Sequence, residues 1–476
     1  MILLQNHQAL LNISDKTLKI PILFFKGAGS LENPRILNEN CGIFGLYAVD
    51  TSSTVAKNIY YGIFKLQHRG QKYCGIASYG NDINLITHKG FVRHTFSSDD
   101  LDSMDGNFGI GHTSLKERQP IILISKIGKF AIAFSGNIIN GMQLRKELEQ
   151  KGHSFSTESD IELLGKLIAC YDNFGEGIFQ LSNKIKGSYS LVILSKDGIY
   201  AARDKNGFKP LILGMNKNHF AVSSESRSFD LLKIDILRDV KPGEIVFIDK
   251  KGIQTIANVE CHKPAFCAFE WAYIASIDSV IEGIPVIEAR ENFGSKLASY
   301  DKNIEADIVA PVPFSGIGCA LGYHKTSGIR YEEVFLIDRF ASRSYTPLTQ
   351  ESRDEEAKIK LSVIKYNVKG KKIILCDDSI VRGTQIRFKV KELKEAGAKE
   401  VHVRIACPPL IAPCFYGIST RSYNELAARK FSVEEIRKKI GADTLKYNSI
   451  EDFISSIGLP ADKLCLSCFT GQMVEE

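Results

Sequence analysis

The stretch Lys371–Gln385 (KKIILCDDSIVRGTQ) limits what this chain can fold into more than any other. An apolar run over Lys372–Leu375 leads into two adjacent carboxylates, Asp377 and Asp378, and then a short loop with Gly383-Thr384. Gln385–Ala396 follows, apolar at Ile386, Val390, Leu393 and Ala396, which is the spacing of one helix face. Val401–Ala406 is the next apolar run and Ile308–Val312 an earlier one. Strand, helix and strand at this spacing form a βαβ unit. That unit requires a parallel sheet, because only a long crossover returns the chain to a parallel neighbour. Ligands of such a sheet bind at the carboxyl ends of its strands, where the two acids fall.

The loop has the parts of a phosphate site. Its N–H groups and the helix N-terminus suit an anion. Two carboxylates beside a phosphate make sense if they accept hydrogen bonds from sugar hydroxyls and help hold Mg²⁺ over a pyrophosphate. No Gly-Lys-Ser/Thr follows, so this is not a Walker loop. The bland alternative is a solvated acidic turn before a helix.

The first half reads differently. From Cys41 to about Cys261 short β-type runs alternate with Gly and Asn turns (CGIFGLYAV, FAIAFSGNI, YSLVIL, GIYAAR, EIVFID). One clear helix, Asp160–Tyr171, interrupts them with Ile161, Leu164 and Ile168 on one face. Packed sheets with helices outside are expected there, with the boundary between halves within Val259–Val280. At 476 residues, 44% apolar and 24% charged, the chain has the composition of a globular protein of several domains. The net charge of +6 is too dilute to imply nucleic acid, though it suits phosphorylated substrates. No run reaches the ~18 apolar residues of a membrane span, and Ile20–Phe25 lacks the layout of a cleavable signal. Eleven cysteines without an export signal favour a reducing, cytoplasmic setting. Six of them (Cys74, Cys170, Cys261, Cys319, Cys376, Cys407) read as small core residues.

The Lys371–Gln385 stretch resembles the phosphoribosyl-pyrophosphate (PRPP) signature of type I phosphoribosyltransferases. The resemblance implies that Asp377 and Asp378 bind the ribose hydroxyls and that Ser379, Val381, Arg382, Gly383 and Thr384 wrap the 5′-phosphate. Asp307–Tyr323 is similar to the family's pyrophosphate-side strand and loop, with Ser315 near Mg²⁺ alongside Asp377 and Asp378. Phe314 stands where the family usually carries Asp. Asp338–Leu361 resembles the family's mobile lid, with Arg339 and Arg343 as anion contacts.

Cys41-Gly42-Ile43-Phe44-Gly45 resembles the start of N-terminal-nucleophile (class II) glutamine amidotransferases, in which the thiol attacks glutamine and its own α-amine is the base. Leu66–Gly75 (LQHRGQKYCG) matches a block whose Arg69 helps bind glutamine, and Ser159–Glu162 one whose Asp160 holds its ammonium. Ala202–Leu211 and Ser223–Ser226 fit the same domain. Two positions depart. Ser114 replaces the Arg that pairs the glutamine carboxylate, and Ser135-Gly136 replaces an Asn-Gly oxyanion hole. The chemistry also needs Cys41 as first residue, so residues 1–40 are removed, the start is misassigned or the glutaminase is silent.

Cys465 and Cys468 form a CxxC, which alone could be reduced thiols or a Zn²⁺ site. Ala265–Tyr273 and Pro408–Ile418 resemble the cluster-ligand blocks of iron–sulfur amidophosphoribosyltransferases. The resemblance therefore implies Cys267, Cys414, Cys465 and Cys468 as a structural [4Fe–4S] set. It runs from about Cys41 to Gly471 with blocks in order. The fold it implies is a layered αββα sandwich followed by a parallel-sheet phosphoribosyltransferase domain. It divides the chain into an extension (1–40), a glutaminase domain (41–265), a transferase domain (266–445) and a tail (446–476). The expected partners are PRPP, glutamine and feedback purine nucleotides, in a homo-oligomer, with neither nucleic acid nor membrane. Ser114, Ser135, Phe314 and Ser276-Ile277 (usually Arg-Pro) motivate two other readings, an ammonia-dependent transferase and a PRPP- or nucleotide-binding regulatory protein.

Overall fold

The computed structural model describes residues 41–50, 54–261, 263–337, 361–417 and 422–474. The expected extension, Arg339, Arg343 and nearly all of the expected lid lie outside these. The described residues belong to one compact unit. None of their helices is long and apolar enough to cross a membrane.

The first half is built from antiparallel sheets of seven and six strands. In the first sheet β1 (Gly42–Ala48) pairs with β2 (Phe108–Ser114), Gly42 opposite Thr113. In the second, β3 (Gly128–Ile138) pairs with Gly187–Ser195, Ser135 opposite Ser190. Side chains alternate across a strand, and the alternation here feeds three separate cores. Ile43, Ala131, Ala133, Val192 and Leu194 fill the space between the sheets. Phe44 and Leu46 face the helix Ala56–Lys65 outside the first sheet. Ile132, Phe134, Leu191 and Ile193 face α1 (Asp160–Ala169) and its neighbours outside the second. That gives helix, sheet, sheet, helix, the expected sandwich.

The second half holds the expected parallel sheet, of five strands. β4 (Ile308–Pro311) pairs with β5 (Lys372–Asp377), which pairs with β6 (Glu400–Ile405). Both faces are covered, as a parallel sheet demands. Val309, Ile374 and Cys376 pack under Phe293 and Tyr323, while Ile308, Ile373 and Leu375 pack against α2 (Thr384–Glu395) through Ile386 and Val390. Helix α2 begins at Gly383, whose φ of +80° is open to glycine at little cost. That turn swings the chain from the end of β5 into the helix.

The halves are joined by polar contacts around Cys414–Gly417. Asn137 Nδ2 donates to Phe415 O at 2.8 Å, Ser188 Oγ donates to Tyr416 O at 2.7 Å, and Tyr416 stacks on Phe208 with centroids 4.0 Å apart. Of the six cysteines expected in the core, Cys74, Cys319, Cys376 and Cys407 are buried, while Cys170 and Cys261 are only half-buried.

Candidate active site

At the end of β5 the two acids are almost fully buried, Asp377 at 5% exposure and Asp378 at 6%. Ser315 Oγ donates to Asp377 Oδ1 at 3.1 Å, and the Asp378 N–H donates to the same oxygen at 3.0 Å. Lys389 Nζ lies 3.4 Å from Asp377 Oδ2. Burial, and then the charge of Asp377, push the Asp378 carboxyl well above the usual range. A site that raises a carboxyl this way is short of positive charge. Its hard oxygen donors, two carboxylates and the Ser315 hydroxyl, are those Mg²⁺ prefers. Thr384 opens the helix, and Ser379 donates to Asp378. The Val381 carbonyl accepts from Ala427, and Arg382 is exposed and paired with Glu425 at 3.1 Å. Phe314, beside Ser315, is 71% exposed at the rim.

Lys389 carries no motif signal. Its position half-way along an amphipathic helix that carries several other cations hid it.

In the first half Cys41 precedes β1 at 5% exposure, and its main-chain nitrogen donates to Ser135 Oγ at 3.2 Å. Gly136 follows, where an added Cβ would lie 2.1 Å from Ser188 O, so only glycine lets the strands approach this closely. Asp160 opens α1, whose N-cap is Ser159. Cys41, Ser135 and Gly136 thus meet at one end of the sandwich, and Asp160 heads the helix covering the second sheet. Ser114 cannot stand in for a guanidinium. Its hydroxyl is committed to the Glu117 backbone, donating to the carbonyl and accepting from the N–H at 3.3 Å. Asn137 does not restore the missing amide donor, because it is spent on Phe415.

The Arg69 guanidinium is committed to two acids. It is buried, with Nε donating to Glu225 and Nη2 to Glu270 at 2.5 Å. Its spacing from those acids, 156 and 201 residues, made the pairing invisible in the sequence. Glu225 also accepts from Ser276 N (2.9 Å) and Ser279 Oγ (2.7 Å), and Arg227 Nη1 donates to Ser276 Oγ at 2.6 Å. Arginine therefore returns to the Ser276 position from another strand of chain.

The four cysteines converge at the junction of the halves. Cys267 and Cys465 are register partners in a short parallel ladder, and the Cys468 carbonyl accepts from Ile411 (3.0 Å) and Ala412 (3.2 Å), three and two residues before Cys414. The thiols feel one another electrostatically. Burial raises Cys267 and Cys468 well above the ordinary value and Cys465 to about 11, and the other thiols add to it. Among the described residues no group of three or more His, Cys, Asp or Glu is arranged to hold a metal ion. Cys414 and Cys465 are buried, and Cys267 and Cys468 are half-buried.

A family profile described as a glutamine amidotransferase domain matches residues 109–230. The amidophosphoribosyltransferase of Methanothermobacter thermautotrophicus is 40% identical over 450 residues, covering 91% of this chain and 94% of the relative. That of Bacillus subtilis is 38% identical over 457 residues, covering 92% and 95%. The chain belongs to the amidophosphoribosyltransferase family. The solved B. subtilis glutamine PRPP amidotransferase, complexed with ADP and GMP, superposes with a TM-score of 0.85 at 37% identity, covering 91% of this chain and 97% of that one. A second structure, described as the allosteric regulatory enzyme of purine biosynthesis, superposes with 0.84 at 36% identity. Both halves of this family member are thus accounted for by one likeness.

Proposed function

We propose that this chain is a glutamine-dependent amidophosphoribosyltransferase, forming 5-phosphoribosylamine, glutamate and pyrophosphate from PRPP, glutamine and water, the opening step of purine synthesis. One observation carries the reading. A buried pair of acids ends a parallel strand and opens onto a phosphate loop, in a chain whose first half sets a cysteine against a hydroxyl and a close-approach glycine.

The Cys41 thiol attacks the donor amide, with the α-amine of a processed chain taking and returning the proton. The Gly136 N–H and the Ser135 hydroxyl would supply donors to the developing oxyanion. At the second centre Asp377 and Asp378 hold the ribose hydroxyls, with Ser315 and Lys389 fixing Asp377. The loop through Ser379, Val381, Arg382, Gly383 and Thr384 takes the 5′-phosphate, and Arg339 and Arg343 the pyrophosphate. Mg²⁺ held at Ser315, Asp377 and Asp378 would neutralise pyrophosphate charge. The division at residues 40, 265 and 445, purine nucleotides as ligands and a homo-oligomer belong to the same reading. So does a structural [4Fe–4S] cluster on Cys267, Cys414, Cys465 and Cys468, which would pin the tail to the junction of the halves.

Two measurements test this. Pyrophosphate release from PRPP is expected with Mg²⁺ and either glutamine or ammonium. No release with either donor removes the transferase and leaves a regulatory binder. Anaerobically purified protein should be brown, with iron and acid-labile sulfide that fall sharply in Cys465→Ser. Colourless protein with stoichiometric zinc would mean the right ligands and the wrong metal.

A further inference from the structure

Just past the end of β2, whose Thr113 faces Gly42, the chain turns an acid inward. Between Ser114 and Gln119, Lys116 and Arg118 are exposed and Glu117 is half-buried, so of these three charged side chains the anion faces the protein. Its carboxylate is held from two sides. One oxygen accepts from Gln119 Nε2 at 3.0 Å, and Gln119 Oε1 accepts from Phe134 N at 2.8 Å, one residue before Ser135. The other accepts from the Ser159 hydroxyl, one residue before Asp160. Glu117 therefore lies between the strand that carries Ser135 and the helix start that carries Asp160. Both of these donors are neutral, so they orient the charge without cancelling it.

Arg145 is engaged with the Thr157 and Ser159 carbonyls at 2.8 and 3.0 Å, and Lys116 and Arg118 are exposed. Ser114 has no charge and is bound to the Glu117 backbone. Arg69 is enclosed by Glu225 and Glu270. An α-amino-acid amide entering this pocket brings its amino group to Asp160, which is favourable, and its carboxylate toward Glu117, which is not.

We propose that Glu117 limits the affinity of this chain for glutamine by opposing its α-carboxylate. The proposal rests on reading Cys41 as the glutaminase nucleophile. Glutamine is then used only at high concentration, and a donor lacking the carboxylate escapes the penalty. Like charges a few ångströms apart in a partly buried pocket are enough to change affinity about tenfold.

The test measures glutamate release against glutamine concentration with full-length protein as processed in its own host. Glu117→Gln keeps the shape and hydrogen-bonding capacity, and the KM for glutamine should fall about tenfold while kcat stays within about threefold. Glu117→Asp, which keeps the charge, should leave the KM high. L-Glutaminamide, the same donor without a carboxylate, should show little change in KM between wild type and Glu117→Gln. A glutamine KM that is unchanged or higher in Glu117→Gln overturns the proposal, as does an equal fall for glutaminamide. Absence of glutamate release from both proteins overturns it too, since removing the acid then restores nothing. PRPP turnover with ammonium, measured separately on wild type, reports on the transferase whatever Glu117 does.

Discussion

Replacing Asp377 and Asp378 together by Asn should abolish transfer from PRPP and leave the fold intact. The expected loss is about 10³-fold or more, because the change removes both anionic acceptors that orient the sugar and the two carboxylates available to Mg²⁺. Stability should not follow activity. Asp378 has its carboxyl raised above the unfolded value by burial and by Asp377, so the native state holds that proton more tightly than the unfolded chain does. Stability conferred by the protonated form is therefore lost as pH rises from the unfolded value toward the native one, and at neutral pH the buried acid opposes folding. Asn removes that cost. Against it stands Lys389, which loses its partner at 3.4 Å. The two effects oppose each other, and the melting midpoint at pH 7 should stay within a few degrees of wild type. Near-normal pyrophosphate release by the folded double variant would remove the phosphoribosyl reading.

The same pair shows how much was legible in the sequence. Strand, loop and helix around Asp377 were readable because each is specified within about fifteen residues by apolar period and turn chemistry. The expected helix Gln385–Ala396 is Thr384–Glu395, and the expected strand Val401–Ala406 is Glu400–Ile405. Asp160–Tyr171 is likewise helical over Asp160–Ala169. The first half was legible as packed sheets with helices outside, from its alternation, but its strand order was not, since that depends on pairings far apart in the chain.

What the sequence hid are charges whose partners are distant. Glu117, between Lys116 and Arg118, looks like part of a solvated basic stretch, and only the bend at Ser114 decides which of the three faces inward. Lys389 reads as one more cation on a charged helix until the strand beside it places Asp377 within reach. Arg69 belongs to a motif tied to glutamine, yet its guanidinium is claimed by Glu225 and by Glu270, a residue at the start of the second half. Local pattern speaks to backbone conformation, and long-range charge pairing does not follow from it.

Arg69 supplies the second large effect. Arg69→Met should destabilise the protein by about 3–5 kcal/mol, the cost of leaving buried carboxylates without their cation. Burial alone would push the guanidinium down, and Glu270 and Glu225 more than offset it, raising Arg69 above the ordinary arginine value. Burial likewise works against the Glu225 anion, but His68, Arg69 and Ser279 outweigh it and hold Glu225 well below the usual range. A carboxylate lowered in the native state contributes stability that is fully present above its unfolded value of about 4 and is lost as pH falls toward the native one. Removing Arg69 cuts that contribution, so the gap between wild type and Arg69→Met should be widest above about pH 5 and narrow on acidification. Arg69→Lys keeps a charge but cannot reach both acids at once, and should fall between the two. The Ser276 and Ser279 contacts to Glu225 tie the same cluster to the turn after Glu270, so the loss should spread into the second half rather than stay local. Thermal melts of the three proteins from pH 4 to 8 decide it. A melting midpoint for Arg69→Met within about a degree of wild type at pH 7 would show that the ion pairs contribute no net stability.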